Sequence, residues 1–233
     1  MTANRQQEVT KWFNGTYSKR GNWYLRPTKA YYIFLELLGA KEGQKYLDIA
    51  CGLGRLLEAS TEYGLDSYGI DISSVAIEKI KEKFPDFNAR VANAEELPFN
   101  DKTFDLVTCI GSLERMLNIP LALQEMQRVG KQDCNYCILV RNSEANSWKY
   151  IKALLNLKNK KGHQDAKNLE EWTTIFKTAG YKIDGVYPDQ YSIIKKLKLR
   201  SFGLKKINYK QLVNDNNPIT KTEKFIFLLK KDV

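Results

Sequence analysis

The segment Tyr46-Leu47-Asp48-Ile49-Ala50-Cys51-Gly52-Leu53-Gly54-Arg55 sets a carboxylate immediately before a pair of glycines. Gly52 and Gly54 allow a tight turn and let a ligand approach the backbone with no side chain in the way. A second carboxylate, Asp71, closes the run Tyr68-Gly69-Ile70-Asp71. An acid at the end of the second strand of a nucleotide-binding α/β fold accepts hydrogen bonds from ribose hydroxyls. Together these residues point to a nucleoside. A dinucleotide fingerprint would need a third glycine, for close helix packing at a pyrophosphate, and Leu57 stands there instead. Asp48 also suits a cationic ligand better than a diphosphate. S-adenosylmethionine has no phosphate and carries a sulfonium and an amino-acid end.

These groups must be held by strands and helices, and the hydrophobic pattern supplies them. Lys45–Ala50, Ser67–Ile70, Phe87–Val91, Phe104–Ile110, Tyr136–Val140, Tyr181–Val186 and Lys224–Leu229 read as strands. Helical spacing over Leu53–Tyr63, Val75–Phe84, Pro120–Val129 and Leu169–Ala179 places helices between them. Ser73 and Ser74 offer an N-cap, Pro85 a stop, and Gly64 and Gly180 helix ends. Strands alternating with helices predict a seven-stranded, mostly parallel α/β sheet of Rossmann-like type, with helices on both faces. The last strand follows a long non-helical stretch and is expected to pair antiparallel. The whole chain, 1–233, reads as one domain. A helical, aromatic cap (residues 1–40, with Trp12, Phe13, Tyr17, Trp23, Tyr24, Tyr31 and Tyr32) and an insert (residues 142–168) fall outside the wound core and are candidate lids. The insert begins at the carboxyl end of a strand, where open α/β sheets bind ligands.

The chain resembles the class I S-adenosylmethionine-dependent methyltransferases. Asp48-Ile-Ala-Cys-Gly-Leu-Gly is similar to their first motif, and Asp71 matches their ribose-binding acid. Asn93-Ala94-Glu95-Glu96-Leu97-Pro98-Phe99, Phe104-Asp105-Leu106-Val107, Gly111-Ser112-Leu113-Glu114 and Leu123–Val129 continue the pattern. The similarity runs from about Lys45 to Val140. It implies a cofactor, S-adenosylmethionine, leaving as S-adenosylhomocysteine. It implies that Gly52 and Gly54 lie against the amino-acid portion, with Asp48 near its amino group. It also implies that Asp71 holds the ribose, that Ala94 offers a backbone N–H to the adenine and that Asn93 accepts from the adenine amino group. Ala50, Ile72, Glu95, Ile110, Tyr17 and Tyr24 complete the expected cofactor contacts. The family usually has glycine where Ala50 stands and aspartate where Asn93 stands; an amide oxygen accepts a hydrogen bond but carries no charge.

Methyl transfer is an in-line displacement in which alignment supplies much of the acceleration. A base is needed only when the acceptor must lose a proton. Glu114 and Arg115 follow the fourth strand, near the reacting methyl group, and are candidates for catalysis or substrate contact. Many relatives have histidine where Arg115 stands, which argues against a histidine-based mechanism there. His163, the chain's one histidine, is the third candidate. Its surroundings contain Lys149, Lys152, Lys158, Lys160 and Lys161 with no acid between Ala145 and Gln164, a patch suited to an anionic acceptor.

Composition limits the alternatives. The 233 residues are 43% hydrophobic and 27% charged, a globular balance with chain enough for a large core. No apolar run approaches the ~20 residues of a membrane span, and no secretory h-region follows the first residues, so a cytoplasmic location is expected. Net charge is +10, and Lys195–Val233 carries 11 basic and 3 acidic residues. That tail leaves methylation of nucleic acid or protein as the alternative to a small-molecule acceptor, and a noncatalytic cofactor-binding module as another. No base-flipping motif accompanies the tail, so stable nucleic-acid binding is not expected. Cys134 and Cys137 have CxxC spacing without a second ligand pair, so no metal is expected. Oligomeric state is unreadable from the sequence.

Overall fold

The computed structural model describes residues 2–19, 25–145, 165–189, 219 and 222–232. Helix α1 (Thr2–Lys19) comes first, then a 3-10 turn (Thr28–Tyr31) leading into α2 (Tyr32–Leu38). The wound core follows as β1 (Lys45–Ile49), α3 (Arg55–Glu62), β2 (Asp66–Asp71), α4 (Ser74–Lys83), β3 (Asn88–Val91) and β4 (Phe104–Ile110). It continues with a 3-10 turn (Leu113–Arg115), α5 (Ile119–Val129), β5 (Gly130–Arg141), α6 (Leu169–Thr178), β6 (Tyr181–Pro188) and β7 (Lys224–Lys231).

The seven strands form one sheet in the order β3-β2-β1-β4-β5-β7-β6. All neighbours pair parallel except β7, which runs antiparallel to both β5 and β6. The expected antiparallel last strand is therefore present, inserted between β5 and β6. The strand order reverses between β1 and β4, and loops leaving the carboxyl ends of strands on either side diverge to open a crevice.

Two apolar layers hold the sheet. On one face Phe34 and Leu35 of α2, Leu56 and Leu57 of α3 and Ile77 and Ile80 of α4 pack with Tyr46, Leu106 and Leu139. On the other, Leu123 and Met126 of α5 and Trp172 and Phe176 of α6 pack with Leu47, Val107, Val140 and Phe227. Cys134 belongs to the second layer and Cys137 to the first, so the CxxC pair is divided by the sheet. All four cysteines are buried free thiols.

Local chemistry sets the helix starts. The Ser73 hydroxyl accepts from Ala76 N at 3.2 Å and caps α4. The Asn118 side chain caps α5 by accepting from Leu121 N. Asn168 and Glu171 form a reciprocal capping box at the start of α6. Each satisfies backbone donors that a helix start leaves without partners.

Candidate functional site

The crevice at the carboxyl ends of the strands is divided into two adjoining chambers. The larger, about 270 Å³, is lined by the glycine turn with Asp48 and Ala50, by Trp12, Phe13, Thr16 and Tyr17 of α1, and by Tyr31, Ile110, Ser112, Arg115 and Arg141. The smaller, about 70 Å³, is lined by Asp71, Ile72, Asn93, Ala94 and Glu95, with Met116, Leu117 and the α1 residues Gln6, Val9, Phe13 and Tyr17. Ala50, Phe13, Tyr17, Ser112 and Arg115 line both.

The turn after β1 needs its glycines. Gly52 and Gly54 have φ of +55° and +74°, in the left-handed region that costs an L residue ~1–2 kcal/mol. A Cβ on Gly52 would stand 2.9 Å from the Tyr17 hydroxyl, so α1 comes down directly on the bare backbone. Ala50 also adopts a positive φ, 58°. That conformation is the physical reason for the family's glycine at this position, and Ala50 holds it with a methyl group facing both chambers.

The two carboxylates meet the loop from neighbouring strands. Gly52 N donates to Asp71 Oδ2 and Ser73 N to Asp71 Oδ1, both at 2.9 Å. Asp71 is 3% exposed; burial pushes it up to about 6, although these backbone donors favour its charged form. Asp48, also 3% exposed, accepts from the Thr108 hydroxyl at 2.8 Å through Oδ1. Burial pushes Asp48 up to about 7, opposed by the Thr108 hydrogen bond and reinforced by the nearby Asp71.

On the smaller chamber, Asn93 Oδ1 accepts from Glu95 N at 3.1 Å, a local turn that uses one lone pair of the oxygen expected to face an adenine. Glu95 Oε1 accepts from Leu117 N and Asn118 N, both at 2.9 Å, and so fixes the turn that enters α5. Ala94 is buried between these two and lines the chamber.

Helix α1 roofs both chambers. The Ser73 hydroxyl donates to Asn14 Oδ1 at 2.6 Å, and Lys79 Nζ donates to the Tyr17 carbonyl at 2.6 Å. The Arg115 guanidinium lies 5.9 Å from the Trp12 ring and 5.8 Å from the Phe13 ring, within cation–π range of both.

Of the residues expected to act at the methyl group, Arg115 lines both chambers. Glu114 lines neither: its side chain is fully buried, and neither carboxylate oxygen makes a hydrogen bond. Arg141 Nε lies 3.4 Å from Glu114 Oε1, and it is Arg141 that reaches the larger chamber. Burial raises the Glu114 carboxyl above its ordinary range. His163 and Tyr24 lie outside the described residues, as do most of the insert and the basic stretch that follows β6. Sequence reasoning passed over Arg141 and Thr108. Arg141 ends a strand at its carboxyl end, and Thr108 interrupts the apolar alternation of Phe104–Ile110, signals that each could have been weighed.

The methyltransferase-domain family matches residues 47–138, the span from β1 into β5. This stretch is similar to a methyltransferase domain. Over 99 residues, 42% of the chain, it is 35% identical to a demethylmenaquinone methyltransferase of Renibacterium salmoninarum, again 42% of that protein. Over 110 residues, 43% of the chain, it is 36% identical to a 2-phytyl-1,4-naphtoquinone methyltransferase of Trichormus variabilis, 48% of that protein. The chain thus matches under half the length of these curated relatives. Among solved structures, a SAM-dependent methyltransferase of Thermotoga maritima superposes with a TM-score of 0.64 at 14% identity, covering 96% of this chain and 98% of that one. A TehB-like SAM-dependent methyltransferase of Corynebacterium glutamicum gives 0.58 at 17% identity, covering 99% and 100%. The last two establish the fold across nearly the whole chain.

The domain implies S-adenosylmethionine as cofactor, and the crevice fits it. The bare turn at Gly52 and Gly54 with the Asp48 carboxylate suits an amino-acid end bearing an ammonium. Asp71 suits ribose hydroxyls, and the narrow chamber of Ile72, Ala94 and Leu117 suits a flat base.

Proposed function

We propose that the protein transfers a methyl group from S-adenosylmethionine to an oxygen or nitrogen of a small anionic metabolite. The observation that carries this reading is the larger chamber, where Arg115 and Arg141 line the same space as Asp48 and the glycine turn. When bound, the cofactor supplies an electrophilic methyl group on a sulfonium. Asp48 holds the ammonium of its amino-acid end, Asp71 the ribose, and Ala94 with Asn93 the adenine edge. Arg115 and Arg141 grip the anionic group of the acceptor and fix its distance from the methyl carbon. Trp12, Phe13, Tyr17 and Tyr31 exclude water and present aromatic faces to a flat acceptor and to positive charge. Alignment of this kind is the main contribution a methyltransferase must make. Helix α1 serves as a lid over both chambers.

A second reading, methylation of a quinone-like acceptor, is supported by the names of the two curated relatives. Methylation of nucleic acid or protein, and a noncatalytic binding role, have less support: the two curated relatives are named for small molecules, and the crevice residues suit the cofactor.

The test is release of S-adenosylhomocysteine across a panel of hydroxylated and aminated aromatics with and without a carboxylate or phosphate. Turnover confined to anionic members upholds the proposal. Turnover of neutral quinols alone supports the second reading, and turnover of oligonucleotides alone refutes both.

A further inference from the structure

Tyr46, Thr108 and Asp48 form a continuous hydrogen-bonded chain inside the sheet. Strands β1 and β4 pair parallel with Asp48 directly beside Thr108. Tyr46 lies two positions before Asp48 on the same strand, so the three side chains project from one face of the sheet. The Tyr46 hydroxyl is 2.6 Å from Thr108 Oγ1, and Thr108 Oγ1 is 2.8 Å from Asp48 Oδ1. Tyr46 and Thr108 are both 0% exposed.

The direction of the chain follows from valence. A hydroxyl has one proton to donate. Thr108 Oγ1 has the Leu47 carbonyl at 3.5 Å and Asp48 Oδ1 at 2.8 Å; its proton goes to the shorter contact, since an ionised carboxylate can only accept. Tyr46 must then be the donor to Thr108. Buried hydroxyls have a desolvation cost that a valine or phenylalanine of the same shape would avoid. These two have no side-chain partners except each other and the carboxylate. Asp48 Oδ2 carries no hydrogen bond among the described residues, and Asp48 lines the larger chamber.

We infer that Thr108 and Tyr46 are positioning residues for cofactor binding: they hold Asp48 through Oδ1, favour its ionised form, and leave Oδ2 for the ammonium of the cofactor's amino-acid end. The inference rests on the proposed cofactor site. Acting in a pocket that disfavours charge, the chain decides how much of Asp48 is ionised near neutrality. The other titratable and charged groups facing Asp48 are Asp71 from β2, Cys51 from the turn, Cys109 from β4, and Arg55, Arg115 and Arg141 around the chamber. None of them is hydrogen-bonded to it among the described residues. Sign follows directly. A donor to the charged form lowers the pKa of a carboxyl, so removing that donor raises it.

The experiment is calorimetric titration of the full chain with S-adenosylhomocysteine between pH 5.5 and 8.5. The product keeps the amino-acid end and lacks only the methyl group and sulfonium charge. The unaltered protein should bind more tightly as pH rises, with a midpoint near 7. Thr108→Val should move that midpoint up by about one unit and weaken binding about fivefold at pH 7, since a one-unit rise takes the ionised fraction there from about one half to about one tenth. Tyr46→Phe should do the same to a smaller extent, and Thr108→Ser, which restores the hydroxyl, should recover the original midpoint. Circular dichroism confirms that each variant is folded; the serine variant controls for packing. Binding by the unaltered protein with no shift in Thr108→Val would overturn this inference alone, as would equal weakening by valine and serine. No binding by the unaltered protein at any pH would overturn the cofactor reading and this inference with it.

Discussion

Glu114 and Arg141 meet with Nε 3.4 Å from Oε1, one wholly buried and the other reaching into the larger chamber. The carboxylate makes no hydrogen bond to compensate its burial, so its effect is exerted through the guanidinium beside it. Arg141 comes from the end of β5 and Glu114 from the turn after β4, neighbours in the sheet. The pair therefore fixes where positive charge stands relative to the strand ends. Glu114→Gln should raise KM for an anionic acceptor roughly tenfold, as loss of a charge-assisted contact does, with kcat and cofactor affinity little changed. A fall in kcat with KM unchanged would instead make Glu114 a general base.

Arg115 has two tasks in the geometry, lining the chambers and meeting the rings of Trp12 and Phe13. Arg115→Ala should raise acceptor KM and also loosen α1, since each cation–π contact contributes about 0.5–1 kcal/mol at exposed sites. Amide exchange of Thr2–Lys19 measures the second effect. Exchange unaltered in the variant would show that Arg115 does not hold α1 in place.

Ala50 predicts a gain. Its φ of 58° is strained for any side chain, and Ala50→Gly removes the strain at the cost of some unfolded-chain entropy. The net expected change is about 0.5–1 kcal/mol of added stability in urea unfolding. Affinity for S-adenosylhomocysteine should not fall, because glycine keeps the backbone with which residue 50 lines both chambers. Lower stability would mean that the methyl group packs usefully.

Asp71 supports the site from beneath as well as lining it. Asp71→Ala leaves the N–H groups of Gly52 and Ser73 without their acceptor in a buried place. Each such orphan costs roughly 1–3 kcal/mol, so both stability and nucleoside binding should drop together. A folded, fully stable variant with lost binding would confine Asp71 to the ligand.

The acids also set a pH dependence of stability. Folded Asp48 titrates near 7 and Asp71 near 6, both above their ordinary value of 3.8. Between the unfolded and folded values the native state binds more protons, so stability of the free protein falls as pH rises through that window. Thermal midpoints should decline from pH 5 to 8. Asp48→Asn should flatten the upper part of that decline. An unchanged slope in the variant would place the titration elsewhere.

The strand sequence was legible because each strand is bounded by a local signal. Ser73 caps α4, and Phe104–Ile110 coincides with β4 at both ends. β5 begins at Gly130 rather than Tyr136, because Asp133 and Asn135 interrupt the apolar run that would reveal it. Helix α1 reads from the sequence as part of a helical, aromatic cap but without bounds: Val9 is its one buried hydrophobic residue among those described, so no apolar stripe marks its ends. Asp48, Asp71 and the glycines can be proposed from the sequence, since the chemistry they suit depends on positions close together in it. Arg141 and Thr108 are not legible in that way, since each matters through a partner on a neighbouring strand or turn, a relation that only pairing register supplies.

Ser73 joins three jobs in a single residue. Its hydroxyl caps α4 and donates to Asn14 of the roofing helix, while its N–H donates to Asp71 beneath the ribose site. Whatever disturbs Asp71 is therefore felt at the roof, and lifting the roof releases a restraint on the carboxylate. The consequence is kinetic. With α1 as the lid, spent nucleoside escapes no faster than that helix lifts, so the turnover ceiling would be set by a helix opening rather than by methyl transfer, and solvent viscosity would slow it.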